Sequence, residues 1–281
     1  MNYIMPKITA NGIGYDAIKN EFGKFEKAEL QLLINEYTYI DMPRAYDIYI
    51  KEICQFIEKY PEFNELTIHT PIGEYCIESL FLRDSTFILW TTKLFVKIAQ
   101  KYDKKINILY HTLSNYKMFI YDWEKYFTPV IDILENTNVY IIFENNILNK
   151  EKERCFPLEL AKHYDNNHIK VCIDICHIQC KANIYHENLS DYIKHYILKD
   201  DLKYIYQIHF SATLNNDGYR DKSTHGRVHP NFESALKDYN ILNSFGINNV
   251  YWVTEISEED YVNRNDQIQE IKYLQKILSE K

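Results

Sequence analysis

The chain has 281 residues and a formal net charge of −8, from 32 basic and 40 acidic side chains. This length allows two small domains or one large α/β barrel, and we expect one domain over 1–281 because no linker-like stretch divides the sequence. The excess of acidic residues, without a basic stripe, argues against a protein that binds the phosphate backbone of nucleic acids. No apolar run reaches membrane-spanning length.

Six cysteines could form three disulfides, but the first thirty residues contain no apolar signal core. Three of them, Cys172, Cys176 and Cys180, crowd one short segment, and their spacing does not match a Cys-x-x-Cys zinc site. The sequence therefore predicts reduced thiols in a soluble, cytoplasmic protein.

Strands and helices are predicted to alternate along the chain, although residues 1–28 give no clear element. The predicted strands are Glu29–Ile34, Leu66–Ile68, Ile106–Tyr110, Val139–Phe143, Ile169–Ile173, Ile205–Ile208 and Val250–Thr254, with one more expected around Thr224–His229. The predicted helices are Arg44–Lys59, Thr86–Lys101, Met118–Glu135, Pro157–Tyr164, Leu189–Leu198, Asn231–Phe245 and Asp266–Ser279.

Six successive strands end in a side chain that can bind metal or transfer a proton. These residues are His69, His111, Glu144, Asp174, His209 and Glu255. They recur at intervals of 42, 33, 30, 35 and 46 residues, the rhythm of a (β/α)₈ TIM barrel. In such a barrel the carboxyl ends of the strands converge on one face, so the repetition favours one shared site.

The stretch Ile169–Cys180 shows the pattern most clearly, since a short apolar strand delivers Asp174 and then His177. A carboxylate at the end of a buried strand needs its charge compensated, and a divalent metal does so. The alternative is that Asp174 caps the following helix and His177 lies at the surface.

Together with His177 and His225, these residues resemble the xylose-isomerase-like barrel superfamily, which includes sugar isomerases, epimerases and endonuclease IV (AP endonuclease family 2). The resemblance covers about residues 66–256, and the run VCIDICH at Val171–His177 is close to that of endonuclease IV. It implies a central metal site, common to both branches, formed by Glu144, Asp174, His209 and Glu255.

The nuclease branch implies further metals. There, His69 and His111 join Glu144 around a second metal, while His177 and His225 join an aspartate around a third. Ser223 stands at that aspartate's usual position, so the third metal is not expected unless the loop bulges and Asp221, four residues before His225, replaces that aspartate.

The loops distinguish the branches. The loops after His111 and Glu144 depart from those that enter DNA in endonuclease IV, which makes DNA the less expected partner. The segment Thr224–Pro230 resembles a substrate-holding loop of the isomerases, in which Arg227 could clamp an anionic group or simply be solvated. Multinuclear iron barrels that modify peptides are a further alternative.

The reaction expected from this resemblance is isomerisation or epimerisation of a small sugar or sugar phosphate by proton transfer between adjacent carbons. Glu144 and Glu255 would be the acid and base, and His177 would orient a ligand or a substrate hydroxyl. Mn²⁺, Mg²⁺, Co²⁺, Fe²⁺ and Zn²⁺ all suit the ligands. We expect one tightly held metal and a second, weaker one at His69 and His111; the oligomeric state is left open.

Overall fold

The structure is a computed structural model that describes residues 3–38, 40–71, 87–112, 127–146, 154–211, 228, 231–256 and 260–280. His225, Arg227 and Asp221 lie outside the described residues, as do residues 118–126 of the expected helix Met118–Glu135. The strand expected around Thr224–His229 also lies outside them, except for Val228, which is in a turn. The chain divides into two compact units, one of residues 7–111 and 127–141, the other of residues 3–6, 112 and 142 onwards. The organisation as a single domain stays a prediction.

Helices connect most of the successive parallel strands of the described residues. The strands are β1 (Tyr3–Met5), β2 (Lys7–Thr9), β3 (Lys27–Gln31), β4 (Glu65–His69), β5 (Lys105–His111), β6 (Val139–Glu144), β7 (Ile169–Asp174), β8 (Ile205–Phe210) and β9 (Tyr251–Thr254). The helices are α1 (Tyr15–Phe22), α2 (Met42–Lys59), α3 (Phe87–Tyr102), α4 (127–134), α5 (Phe156–Tyr164), α6 (Ile175–Ile184), α7 (Leu189–Tyr196), α8 (Phe232–Phe245) and α9 (Asn265–Ser279). A 3₁₀ helix at Lys199–Tyr204 precedes β8.

In the first unit, β2, β3, β4 and β5 are parallel neighbours in that order. Glu65, 4% exposed, joins three strands because its carboxylate contacts Lys27 at 2.6 Å, Lys105 at 2.9 Å and the Asn107 amide at 2.8 Å. These partners compensate the buried charge. Asp41 caps α2 by accepting from the Arg44 N–H at 3.1 Å.

In the second unit, β7, β8, β9 and β1 are parallel neighbours. The register aligns Asp174 with His209, and His209 with Val253. The carboxyl ends of β7, β8 and β9 therefore lie side by side, which is what a site built from strand ends requires.

The predicted (β/α)₈ topology is confirmed. Nine strands lie within the described residues, but only Pro6 separates β1 from β2, and a proline cannot donate to a strand ladder. Tyr3–Met5 pairs with β9 of the second unit, whereas Lys7–Thr9 pairs with β3 of the first.

Two early regions differ from the prediction. Residues 3–28 contain β1, β2 and α1, none of which was predicted. The two strands have three residues each and are too short to show alternation. The strand expected at Glu29–Ile34 spans Lys27–Gln31 instead, because its pairing with β4 ends at Gln31 and His69. The exposed fractions of Leu33 and Ile34 are 43% and 51%. Across the described residues, no helix is both long and apolar enough to cross a membrane.

One lysine of α6 is buried. Lys181 is 1% exposed, and its Nζ donates to the Tyr196 hydroxyl at 3.2 Å. No carboxylate of the described residues forms an ion pair with it, and burial lowers its pKa from 10.5 to about 8. The folded state therefore carries the cost of desolvating an ammonium group.

We predict that Lys181→Met stabilises the protein at neutral pH. In the folded state the pKa is about 8, below the unfolded value of about 10.4, so below pH 8 the full penalty, about 3 kcal/mol, opposes folding. The lost hydrogen bond to Tyr196 costs about 1 kcal/mol, which leaves a net gain of about 2 kcal/mol. Thermal denaturation should show a higher Tm for the variant at pH 7.

The pH dependence provides the check. Between about pH 8 and pH 10 the folded protein can release the proton that the unfolded chain keeps, so wild-type stability should rise relative to the variant. Lys194→Met, at an exposed position on α7, is the control and should show no such trend. If the Tm of Lys181→Met lies below that of the wild type by the same amount at pH 7 and at about pH 10, the account is contradicted.

Candidate metal centre

Four predicted ligands converge at neighbouring strand ends of the second unit. Glu144 ends β6, Asp174 ends β7, His209 lies near the end of β8, and Glu255 directly follows β9. Each offers one ligand atom, and these four atoms all lie within 4.8 Å of one another. None of the four residues is more than 8% exposed. We call these four residues the central cluster.

His209 links two of the carboxylates. Its Nδ1 lies 3.2 Å from Glu144 Oε1 and 2.5 Å from Glu255 Oε2. Its Nε2 lies 3.0 Å from the side-chain amide of Gln207. Because an amide offers both a donor and an acceptor, Gln207 can serve either tautomer of His209.

Asp174 caps a helix and also belongs to the central cluster. Its Oδ1 accepts from the backbone N–H of His177 at 2.9 Å, which caps α6. A carboxylate has a second oxygen, and Asp174 Oδ2 lies 3.6 Å from His177 Nε2. The helix cap therefore does not prevent Asp174 from taking part in the central cluster.

Asn145 fixes the position of Asp174 and His177. Its side-chain amide donates to the Asp174 carbonyl at 3.1 Å, and its Oδ1 accepts from the Asp174 N–H at 2.7 Å. The Asn145 backbone carbonyl lies 2.7 Å from His177 Nδ1. The contact of Nδ1 with this carbonyl orients the imidazole, which is 7% exposed rather than at the surface.

The central cluster fits a divalent cation. The central cluster contains three buried carboxylates and one imidazole, and the ring nitrogens of His177 lie 3.9 Å from Glu144 and 3.6 Å from Asp174. If all three carboxylates are ionised, even a protonated His209 leaves about two negative charges uncompensated within the cluster. A divalent ion would supply that charge, and oxygen with nitrogen donors suits all five metals considered.

His69 and His111 lie together in the first unit, at the ends of β4 and β5. Their ring centroids are 5.0 Å apart, and they are 0% and 8% exposed. His69 Nδ1 lies 3.1 Å from the Thr70 carbonyl, which holds a proton on Nδ1 and leaves Nε2 suited to a metal.

Three residues near the central cluster were missed in the sequence. Asn145 follows Glu144 directly, while Cys172 and Gln207 precede Asp174 and His209 by two residues. The two-residue period of a strand could have indicated that Cys172 and Gln207 share a face with the ligands. Cys172 does lie with Glu144 and His209, one ligand atom of each within 4.8 Å of the others.

No family model and no curated protein matches the sequence. Among solved structures, the chain is similar to the IolI protein with a bound zinc atom, at 13% identity and a TM-score of 0.58 over 98% of both chains. It is similar to a D-tagatose 3-epimerase-like protein, at 14% identity and a TM-score of 0.57 over 98% of this chain and 97% of that one. Endonuclease IV from Thermus thermophilus matches at 10% identity and a TM-score of 0.51 over 98% of both chains. These similarities confirm the fold of the xylose-isomerase-like barrels.

We predict that Asn145→Ala weakens metal binding although Asn145 is not a ligand. The substitution removes both side-chain bonds to the Asp174 backbone, so the β7–β8 pairing still holds Asp174 at the central cluster, but less firmly. Loss of such supporting bonds typically costs about 10- to 100-fold in metal affinity. Titration of the metal-free protein with Zn²⁺ or Mn²⁺ measures the change. Asn146→Ala is the matched control, and equal affinities of the two variants would argue against the role of Asn145.

Proposed function

We propose that the protein is a divalent-metal-dependent enzyme that moves a proton between adjacent carbons of a small sugar or sugar phosphate, as an isomerase or epimerase. The observation that carries this proposal is the pair Glu144 and Glu255, two buried carboxylates from different strands with an oxygen of each within 4.8 Å of the other. Such a pair can take a proton from one carbon and return a proton to its neighbour.

Burial and contacts suit these carboxylates to the task. Glu144 is 0% and Glu255 8% exposed, so little water competes for a proton held between them and a substrate. His209 contacts one oxygen of each, which fixes their orientation. Since a carboxylate has two oxygens, one can hold the cation while the other faces the substrate.

The central cluster would hold the cation through Glu144, Asp174, His209 and Glu255. When bound, a divalent ion supplies Lewis-acid polarisation of the substrate carbonyl, which makes the adjacent C–H bond more acidic. Mn²⁺, Mg²⁺, Co²⁺, Fe²⁺ or Zn²⁺ could serve. We propose one tightly held ion here and a weaker one at His69 and His111.

His177 would position the substrate. With Nδ1 donating to the Asn145 carbonyl, its Nε2 can accept a bond from a substrate hydroxyl. Two further roles remain predictions: metal binding by His177 and His225, and an anion clamp at Arg227. His225 and Arg227 lie outside the described residues.

We predict that Glu255→Gln abolishes exchange of a substrate C–H hydrogen with solvent deuterium while the fold persists. The amide has nearly the same size but is a poor metal ligand and no base. Nuclear magnetic resonance of candidate ketoses and their phosphates, incubated in deuterium oxide with Mn²⁺ or Co²⁺, measures the exchange.

Glu270→Gln is the matched control. Glu270 is 0% exposed and accepts from the Val228 N–H at 2.6 Å, outside the central cluster, and a glutamine oxygen can still accept that bond. Wild-type exchange in Glu255→Gln would remove Glu255 from the mechanism. If Glu255→Gln fails to fold even with excess metal while Glu270→Gln folds, Glu255 is a structural acid.

The endonuclease IV reaction is the competing activity, and we predict little cleavage of abasic-site duplex DNA. The net charge of −8 disfavours binding to a phosphate backbone. A gel assay with added metal tests this. Robust incision that declines steeply with salt would overturn the isomerase proposal in favour of a nuclease.

A further inference from the structure

Cys172 lies close to two members of the central cluster, Glu144 and His209. On β7 it precedes Asp174 by two residues, and the register sets Cys172 opposite Gln207 as it sets Asp174 opposite His209. Alternation along a strand therefore places Cys172 and Asp174 on one face. The Cys172 thiol, a carboxylate oxygen of Glu144 and a ring nitrogen of His209 lie within 4.8 Å of one another, and all three residues are 0% exposed.

We propose that Cys172 is a metal ligand and that Cys172, Glu144 and His209 form a sulfur-containing position of the metal centre for a thiophilic divalent ion, Zn²⁺ or Co²⁺. Binding forms a metal–sulfur bond and breaks the S–H bond, and the thiol proton passes to the buffer. The inference rests on the metal centre of the proposed function and deepens it by naming the preferred class of metal.

The distances are near those of a metal site. Zinc binds sulfur at about 2.3 Å and nitrogen or oxygen at about 2.0–2.2 Å in a tetrahedral arrangement, so two ligands of one ion lie about 3.3–3.7 Å apart. The three ligand atoms all lie within 4.8 Å of one another, so binding requires them to approach by at most about 1.5 Å.

A thiolate changes the metal preference. A centre of carboxylate and imidazole ligands accepts Mg²⁺ and Mn²⁺. A soft sulfur ligand selects instead for zinc-like ions. A centre that includes Cys172 would therefore favour Zn²⁺ and Co²⁺ over Mg²⁺ and Mn²⁺ by more than its oxygen and nitrogen donors alone predict.

A neighbouring cysteine provides a matched control. Cys176 is also fully buried, but its Sγ contacts Ser211 Oγ at 2.9 Å. Burial, followed by the charge of Asp174, raises its pKa well above the usual value. Among the described residues, only Cys172 of the cysteines belongs to a group of potential ligands.

The test is absorption spectroscopy of the metal-free protein titrated with Co²⁺. A thiolate ligand gives an intense sulfur-to-cobalt charge-transfer band in the near ultraviolet, whereas visible d–d bands report Co²⁺ bound by any ligands. We expect both in the wild type and in Cys176→Ser. Cys172→Ser should keep the visible bands and lose the charge-transfer band. Its Zn²⁺ affinity should fall about tenfold, with Mn²⁺ affinity changed less than about twofold.

The wild-type spectrum is decisive even if the variants fold poorly. Visible bands without a charge-transfer band would overturn the role of Cys172 while leaving the proposed metal centre intact. A charge-transfer band that survives in Cys172→Ser also overturns it. Absence of both bands would refute the metal centre itself, so the two failures are distinguishable.

Discussion

The structure of the second unit depends on compensation of buried negative charge. Parallel strands bring Glu144, Asp174 and Glu255 to one point, where His209 is the only described basic group of the central cluster. Carboxylates buried together repel one another and lose hydration, so this arrangement costs free energy unless a cation shares the site. The register of β7, β8 and β9 and the Asn145 bonds hold the groups in place against that repulsion.

Much of this arrangement could be predicted because strand ends carry a strong signal. In a parallel barrel each strand contributes its last residue to the same face, so Glu144, Asp174, His209 and Glu255 could be assigned to one site before any contact was known. Each residue alone has an ordinary structural explanation, such as helix capping by Asp174. The recurrence of such residues at six strand ends favours a shared site over six separate explanations.

Other features depend on tertiary contacts that short sequence patterns do not encode. The strands β1 and β2 have three residues each and are defined by their partners β9 and β3. From the sequence, Asn145 is an ordinary loop residue. Its role in holding Asp174 follows only from the closeness of β6 and β7. Cys172 reads as a small buried apolar residue until its distance to Glu144 and His209 is known. The choice of reaction depends on substrate contacts, and the similarity to solved structures reaches only the fold.

The most direct measurement of the central claim is the metal content of protein purified without chelators, compared with that of Asp174→Asn. Asparagine keeps an oxygen that can cap α6 but removes the charge, so the fold and the metal are tested separately. The account predicts about one tightly bound equivalent of divalent metal in the wild type and a large loss in a folded variant. A wild-type protein that holds no metal, and whose Tm does not rise with added Mn²⁺, Co²⁺, Fe²⁺ or Zn²⁺, would contradict it.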